Sequence, residues 1–341
     1  MRGIASLHPS YFALVMATGI VSIACHFQGF TFIAKAMFWL NVVAFAVLAG
    51  LNTIRLARFH RSFLSDLADH NRGVGFFTSV AASCVLGSQF LLIAGLPVIA
   101  IGFWYLGIGL WFVFTYTIFT SYAIKASKPS LAEGIHGGWL ISVVGAQGVA
   151  MLGGMLAPDF GTYSEPALFF SLVMWLGGGM LYIWIISLIF YRYTFFKMSP
   201  TDLAPAYWIN MGAMAISTLA GVTLIAAADE SAILNQVKPF LKGFTLFFWA
   251  TATWWIPMLV ILGFWRHVVK RFGFTYDPQY WGLVFPLGMY AACTYRLAVT
   301  LETPYLAWIP ITFTYLSIAA WLVTFAGMMI SFARLRGVQP F

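Results

Sequence analysis

Charge is scarce in this chain. Only 8% of its 341 residues are Asp, Glu, Lys or Arg, against about a quarter in a soluble domain. A surface this poor in charge cannot face water, which excludes a soluble enzyme, a nucleic-acid-binding domain and a disordered segment. Acidic residues are the rarer sign, ten against 18 basic. Cysteine is reduced to Cys25, Cys84 and Cys293, far apart and inside apolar stretches. They support no disulfide framework and read as small buried hydrophobes. No Walker A loop, Rossmann glycine pattern or His-Glu-x-x-His occurs, so no cofactor or metal is implied. The N-terminus has one Arg and no small-residue cleavage site after a short apolar core, so the first apolar stretch reads as a span and not as a signal peptide.

What the chain has instead is apolar residue in long runs. Hydrophobic side chains make up 61% and the mean hydropathy is +0.88. Charge-free runs cover 3–34, 36–54, 73–124, 134–158, 166–191, 203–228, 243–265, 278–295 and 303–333. A helix needs about 20 residues to cross the hydrocarbon core. The run 73–124 is broken near its middle by Gly95-Leu96-Pro97, so nine runs become ten helices. A β-barrel would show short alternating segments instead, and lipid leaves the backbone no other spanning option. The expected fold is an all-α polytopic membrane protein, one transmembrane domain over 1–341. Its helices pair as five hairpins near 9–54, 74–124, 136–191, 203–265 and 279–332.

Loop charge sets the orientation. Arg2, the loops after even-numbered helices and the tail at Arg334 and Arg336 hold 14 of the 18 basic residues on one side. Lys35, Lys238, Lys242 and Arg296 are the remainder. By the positive-inside rule both termini are cytoplasmic, in a multi-pass protein of the cell membrane.

The hairpins share a pattern. Odd helices open with Tyr11-Phe12, Phe76-Phe77, Gly138-Trp139, Tyr207-Trp208 and Tyr280-Trp281. Eight residues after each opening stands a small residue: Gly19, Cys84, Ala146, Ala215 and Gly288. Five such hairpins would surround a pseudo-fivefold axis, with small-residue odd helices inside and bulkier even helices facing lipid. An axis lined by five similar helices is a pore, with Gly19 and Gly288 among its lining residues. Five residues after each opening come Met16, Ala81, Val143, Gly212 and Phe285. Phe285 is the one large aromatic in that set, so it would occlude a narrow apolar tube. Pro286 follows it and lacks the N–H for a helix bond, which favours a kink.

The segments His8-Pro9-Ser10-Tyr11-Phe12-Ala13-Leu14-Val15-Met16-Ala17-Thr18-Gly19-Ile20-Val21-Ser22 and Tyr280-Trp281-Gly282-Leu283-Val284-Phe285-Pro286-Leu287-Gly288 resemble the tellurite-resistance/dicarboxylate transporter family. That family includes slow-type anion channels of plant guard cells, fungal malate permeases and fungal sulfite pumps. The resemblance implies ten spans in five hairpins, a homotrimer with one pore per subunit, and a phenylalanine gate on the ninth helix, here Phe285.

Other candidates are few. Arg296 lies in an odd helix, about 16 Å beyond Phe285 at 1.5 Å per residue. It reads as an anion attractor at the outer mouth, or as a snorkelling residue paired with Glu302 or lipid phosphate. His136 opens the fifth span and reads as a pore-mouth donor or pH sensor, or simply as a helix-start residue. Thr18, Ser83, Gln147 and Thr218 face either the conduit or neighbouring helices. Residues 66–70 carry two aspartates and a histidine, but arginines around them favour a solvated loop over a metal site. The function expected is an anion channel or transporter passing small inorganic or organic anions through the bilayer, and not an enzyme. A proton-coupled permease or exporter for four-carbon dicarboxylates or sulfite is the alternative; a membrane-embedded enzyme is remote. No nucleic acid is expected as a partner.

Overall fold

A computed structural model describes residues 2–273 and 275–337; the side chains of Arg2 and Arg336, used above to orient the chain, are outside what it describes. Among the described residues ten helices are long and apolar enough to cross a membrane, and there is no strand. We number them span 1 Pro9–Phe27, span 2 Thr31–Arg58, span 3 Gly73–Leu92, span 4 Pro97–Ile124, span 5 Gly137–Met155, span 6 Gly161–Phe195, span 7 Pro205–Ala226, span 8 Lys238–Val269, span 9 Pro278–Thr300 and span 10 Pro304–Arg334. The break between spans 3 and 4 is where the sequence puts it. Gly95 adopts φ of +66°, which only glycine takes at no steric cost, and Pro97 opens the next helix.

Composition sorts the spans into two layers. Within an 18-residue apolar window of each span, 72% to 94% of the residues are buried in odd spans and 17% to 44% in even spans. Even spans turn Trp39, Phe112, Trp184, Trp254 and Leu322 outward, where only lipid suits them. Odd spans are short and rich in Gly, Ala and Ser, so their backbones approach closely. Their contacts close a ring: span 1 on span 3, then 5, 7 and 9, and span 9 back on span 1.

Each even span donates at least one side-chain N–H to the next odd span. Asn41 donates to Gln89 at 2.7 Å. Trp104 donates to the Val149 carbonyl at 3.0 Å and Trp175 to the Ser217 carbonyl at 2.8 Å. Trp249 donates to the Thr294 hydroxyl at 3.0 Å. Trp321 donates to the Thr18 hydroxyl at 2.9 Å, joining the last hairpin to the first. An indole N–H in hydrocarbon has no water to turn to, so each bond ties an even span, packed mainly on the odd span of its own hairpin, to the odd span that follows.

All three cysteines are free and buried. A side chain on Gly107 would meet the Cys84 sulfur at 2.7 Å, so the thiol fills the notch a glycine leaves. The 66–70 region is not a solvated loop. Asp66 accepts two bonds from Arg72, at 2.8 and 3.0 Å, and another from Arg55, which is 1% exposed. Asp69 instead caps the N–H groups of Asn71 and Arg72. Asp66, in the helix His60–Leu67, is thus the hub of an ion-pair cluster with Arg55 and Arg72, which explains why arginines surround it.

The ring closure is testable. Trp321→Phe and Thr18→Val are each expected to lower the melting temperature in detergent, and a double-mutant cycle to return about 0.6 to 1.7 kcal/mol of coupling. Strict additivity would mean that the bond does not hold spans 10 and 1 together.

Candidate functional site

Every odd span begins with a 3-10 turn on the basic side: Pro9–Phe12, Gly73–Phe76, Gly137–Leu140, Pro205–Trp208 and Pro278–Tyr280. Proline opens three of them, where its missing N–H costs nothing. Side chains cap three: His8, His136 and Asp277 each accept from the backbone N–H two residues on. Five helix N-termini thus converge at one end, each with partial positive charge.

They enclose a cavity of about 330 Å³. All five odd spans line it, through Ser10 and Met16, Gly75, Gly138, Tyr207 and Gly282. At the opposite end a second cavity of about 220 Å³ is lined by Phe27, Leu92, Met155, Thr223 and Arg296, again one from each odd span. Between the two the ring is sealed. Ile20, Val144, Met151, Phe285 and Met289 are all 0% exposed.

Phe285 lies one helical turn beyond Gly282, on the face that reaches the first cavity. Pro286 seats against span 7: a side chain on Gly212 would come within 2.6 Å of its ring. Because Pro286 has no N–H, the bond to the Gly282 carbonyl one turn back cannot form. Met16 is fully buried at the cavity floor. Counted from the first residue of each 3-10 turn, Met16, Gly212 and Phe285 are level. In spans 3 and 5 the residues at that level are Val80 and Val144, neighbours of the expected Ala81 and Val143. The opening aromatics sit at slightly different points of each 3-10 turn, which shifts a register drawn from them by one residue. At Gly19 the room for a side chain is taken by Val85, Asn41 and Gln89, and at Gly288 by Ile20 and Val21. These glycines, with Gly212, set helix-to-helix distance.

The uncharged polar candidates point away from one another. Thr18 accepts from Trp321 and Gln147 donates to the Trp175 carbonyl at 3.0 Å, both across to even spans. Ser83 and Thr218 bond back into their own helices. Helix-to-helix and local bonds account for all four.

The charged group at the first cavity is one that loop counting hides. Arg192 stands inside span 6, which runs on to Phe195, and is 8% exposed. Its guanidinium donates to the Tyr207 hydroxyl and faces the Asp202 carboxylate at 3.5 Å. A signal was present: Arg192 lies within Tyr191-Arg192-Tyr193 with no turn residue between it and the apolar run. His136 lines the same cavity, but burial first and Arg192 second push its pKa down to about 4, against a weaker pull upward from the His70 backbone. Burial and Arg72 also lower that of His8. At pH 7 His136 therefore offers a dipole, not a charge. Its Nδ1 accepts from Gly138 at 3.1 Å, leaving the proton on Nε2.

At the far cavity Arg296 lies 5.9 Å from the Phe27 ring centre. Among the described residues it forms no ion pair, with Glu302 or otherwise. No group of three or more metal-ligating side chains occurs among the described residues.

The family model described as SLAC1, voltage-dependent anion channel, matches residues 6–329. An uncharacterised transporter of Methanocaldococcus jannaschii is 26% identical over 93% of this chain and 90% of its own. An uncharacterised membrane protein of Mycobacterium tuberculosis is 36% identical over 44% of this chain and 75% of its own. A sulfite efflux pump of Arthroderma benhamiae is 23% identical over 95% and 90%.

The depressed His136 pKa has a sign. An unfolded histidine titrates near 6.5, so the neutral buried ring contributes its full share above that pH. The share is lost as pH falls from 6.5 towards 4. Thermal melts from pH 7.5 to 4.5 are expected to fall more steeply for the wild type than for His136→Gln. Parallel curves would mean that the ring is freely protonated in the folded protein.

Proposed function

The chain belongs to the SLAC1, voltage-dependent anion channel, family, and from that premise we propose that it conducts small anions along the axis of the five odd spans, through a gate at Phe285. One observation carries this reading: two cavities, at opposite ends of one ring, are each lined by all five odd spans, with a sealed apolar stretch between them. Helical spacing carries the lining from one cavity to the other. On span 9 the face runs Gly282, Phe285, Met289, Ala292, Arg296; on span 1 it runs Ala13, Met16, Ile20, Ile23, Phe27. Both faces begin in the first cavity and end in the second. Phe285 is the bulkiest side chain on either face inside the sealed stretch, and Pro286 fixes the backbone behind it by filling the notch at Gly212.

In this reading Met16 and the small or modest residues of spans 3, 5 and 7 near Ala81, Val143 and Gly212 form the narrow wall, and Phe285 closes it. Gly19 and Gly288 hold the wall together at helix contacts. Arg296 supplies charge at the outer mouth. His136 stays neutral and offers a donor. No carboxylate lies along the two faces, though Glu230 shares the far cavity with Arg296; the conduit discriminates by charge sign and size, and selectivity among small anions is loose. The sulfite efflux relatives support sulfite as one of the anions carried. The basic side is the cytoplasmic one, with both termini there, and the membrane is the cell membrane. Three copies, each with its own conduit, follow from the resemblance noted in the sequence.

A proton-coupled carrier needs a titratable relay inside the membrane. The ten acidic residues sit in loops or at span ends, which favours the channel.

Planar-bilayer current tests the gate. Purified wild type is expected to be silent, and Phe285→Ala to conduct with loose anion selectivity. Silence from both, with gradient-driven sulfite uptake into liposomes intact, would make the protein a carrier and Phe285 a packing residue.

A further inference from the structure

Among the described residues Arg192 is the one lysine or arginine lining the cavity on the basic side. It reaches there from the outer layer, and it is more than nine-tenths buried. Its partners are unequal. Tyr207, itself 3% exposed, accepts from the guanidinium. The phenol keeps its own proton, for which no acceptor exists among the described residues. Asp202 approaches only to 3.5 Å, longer than the 2.7–2.9 Å of a direct charge-assisted bond.

Asp202 also has a second attachment. Its other oxygen, Oδ2, accepts from the Ser199 N–H and from the Ser199 hydroxyl, both at 2.8 Å. The carboxylate is 33% exposed, so it can withdraw from Arg192 and remain hydrogen-bonded and hydrated. Arg192 has no such freedom. Left alone it would be a buried unpaired charge, a state that costs far more than a broken surface pair. An anion arriving from solvent repairs that state. Around the same spot, the starts of spans 3 and 7 have no side-chain cap, and Val74 and Ala206 at those starts line the cavity. Glu133, the other acid on the lining, is at the exposed rim and is held by Ser130.

We propose that this cavity is a binding site for a small oxyanion on Arg192 and Tyr207, and that Asp202 is a tethered carboxylate competing for it. The proposal rests on the conduit reading, since the site would be the conduit's inner mouth. The ligand class follows from the occupant: a carboxylate sits there now, so an anion presenting two oxygens to a guanidinium fits, and a halide fits less well. The turn at 199–202 then works as a self-inhibiting plug that solute concentration relieves.

Calorimetric titration of the purified full chain with sodium sulfite, and separately with sodium chloride, at constant ionic strength, tests this. Wild type is expected to bind sulfite weakly and chloride more weakly. Asp202→Asn is expected to bind sulfite about tenfold more tightly, equivalent to about 1.4 kcal/mol. Ser199→Ala removes one bond holding the carboxylate back, so it is expected to weaken binding. Arg192→Gln is expected to abolish it. These shifts of opposite sign cannot come from general misfolding. Unchanged affinity in Asp202→Asn, or sulfite binding retained in Arg192→Gln, overturns the proposal. The conduit reading fails separately. Binding in the expected pattern with no current through Phe285→Ala keeps the site and removes the conduit. Current through Phe285→Ala with no sulfite bound by any variant does the reverse.

Discussion

A polar hydrogen inside hydrocarbon must find a partner within the protein, and the architecture of this chain depends on how that is met. Backbone groups are satisfied within each helix. Among the side chains, one Asn and four Trp each reach from an even span to the next odd one. These bonds contribute modestly one by one. Together they choose a neighbour for every outer helix, and the Trp321–Thr18 bond makes the order cyclic.

Close approach inside the ring depends on what is missing. Glycines at 19, 212 and 288 are met by side chains of neighbouring spans, so the inner helices touch where their Cβ atoms would have been. The result is a wall that is sealed in its middle and hollow at both ends. The two cavities lined by all five odd spans lie at the 3-10 starts and at the opposite termini. Phe285 is fully buried within that sealed middle, and Pro286, next to it, seats against span 7 at Gly212.

Part of the charge on the basic side is compensated locally. Asp66 takes up Arg55 and Arg72, Asp202 takes up Arg192, and His136 and His8 are held towards neutrality by burial. At the first cavity Arg192 faces Asp202 at 3.5 Å, and the five helix N-termini add partial positive charge. The far cavity differs, because Arg296 there has an aromatic face and no ion pair among the described residues.

The ten spans, their pairing in hairpins, the break at Gly95-Leu96-Pro97 and the sorting of small residues inward and bulky ones outward were legible in the sequence. Each follows from hydrocarbon thickness, backbone hydrogen bonding and side-chain size, which act locally along the chain. Phe285 and Arg296 were legible as candidates because each is the odd one out in its run. Register was not, since one residue of slip turns a helix by 100°, and the aromatic openings sit at different points of their 3-10 turns. Nor was the use of Asp66 as the hub of two arginines, or the meeting of Arg192 with Asp202 and Tyr207 over a cavity. Both pairings join residues from different elements, and only the packing of spans against one another decides which charges become neighbours.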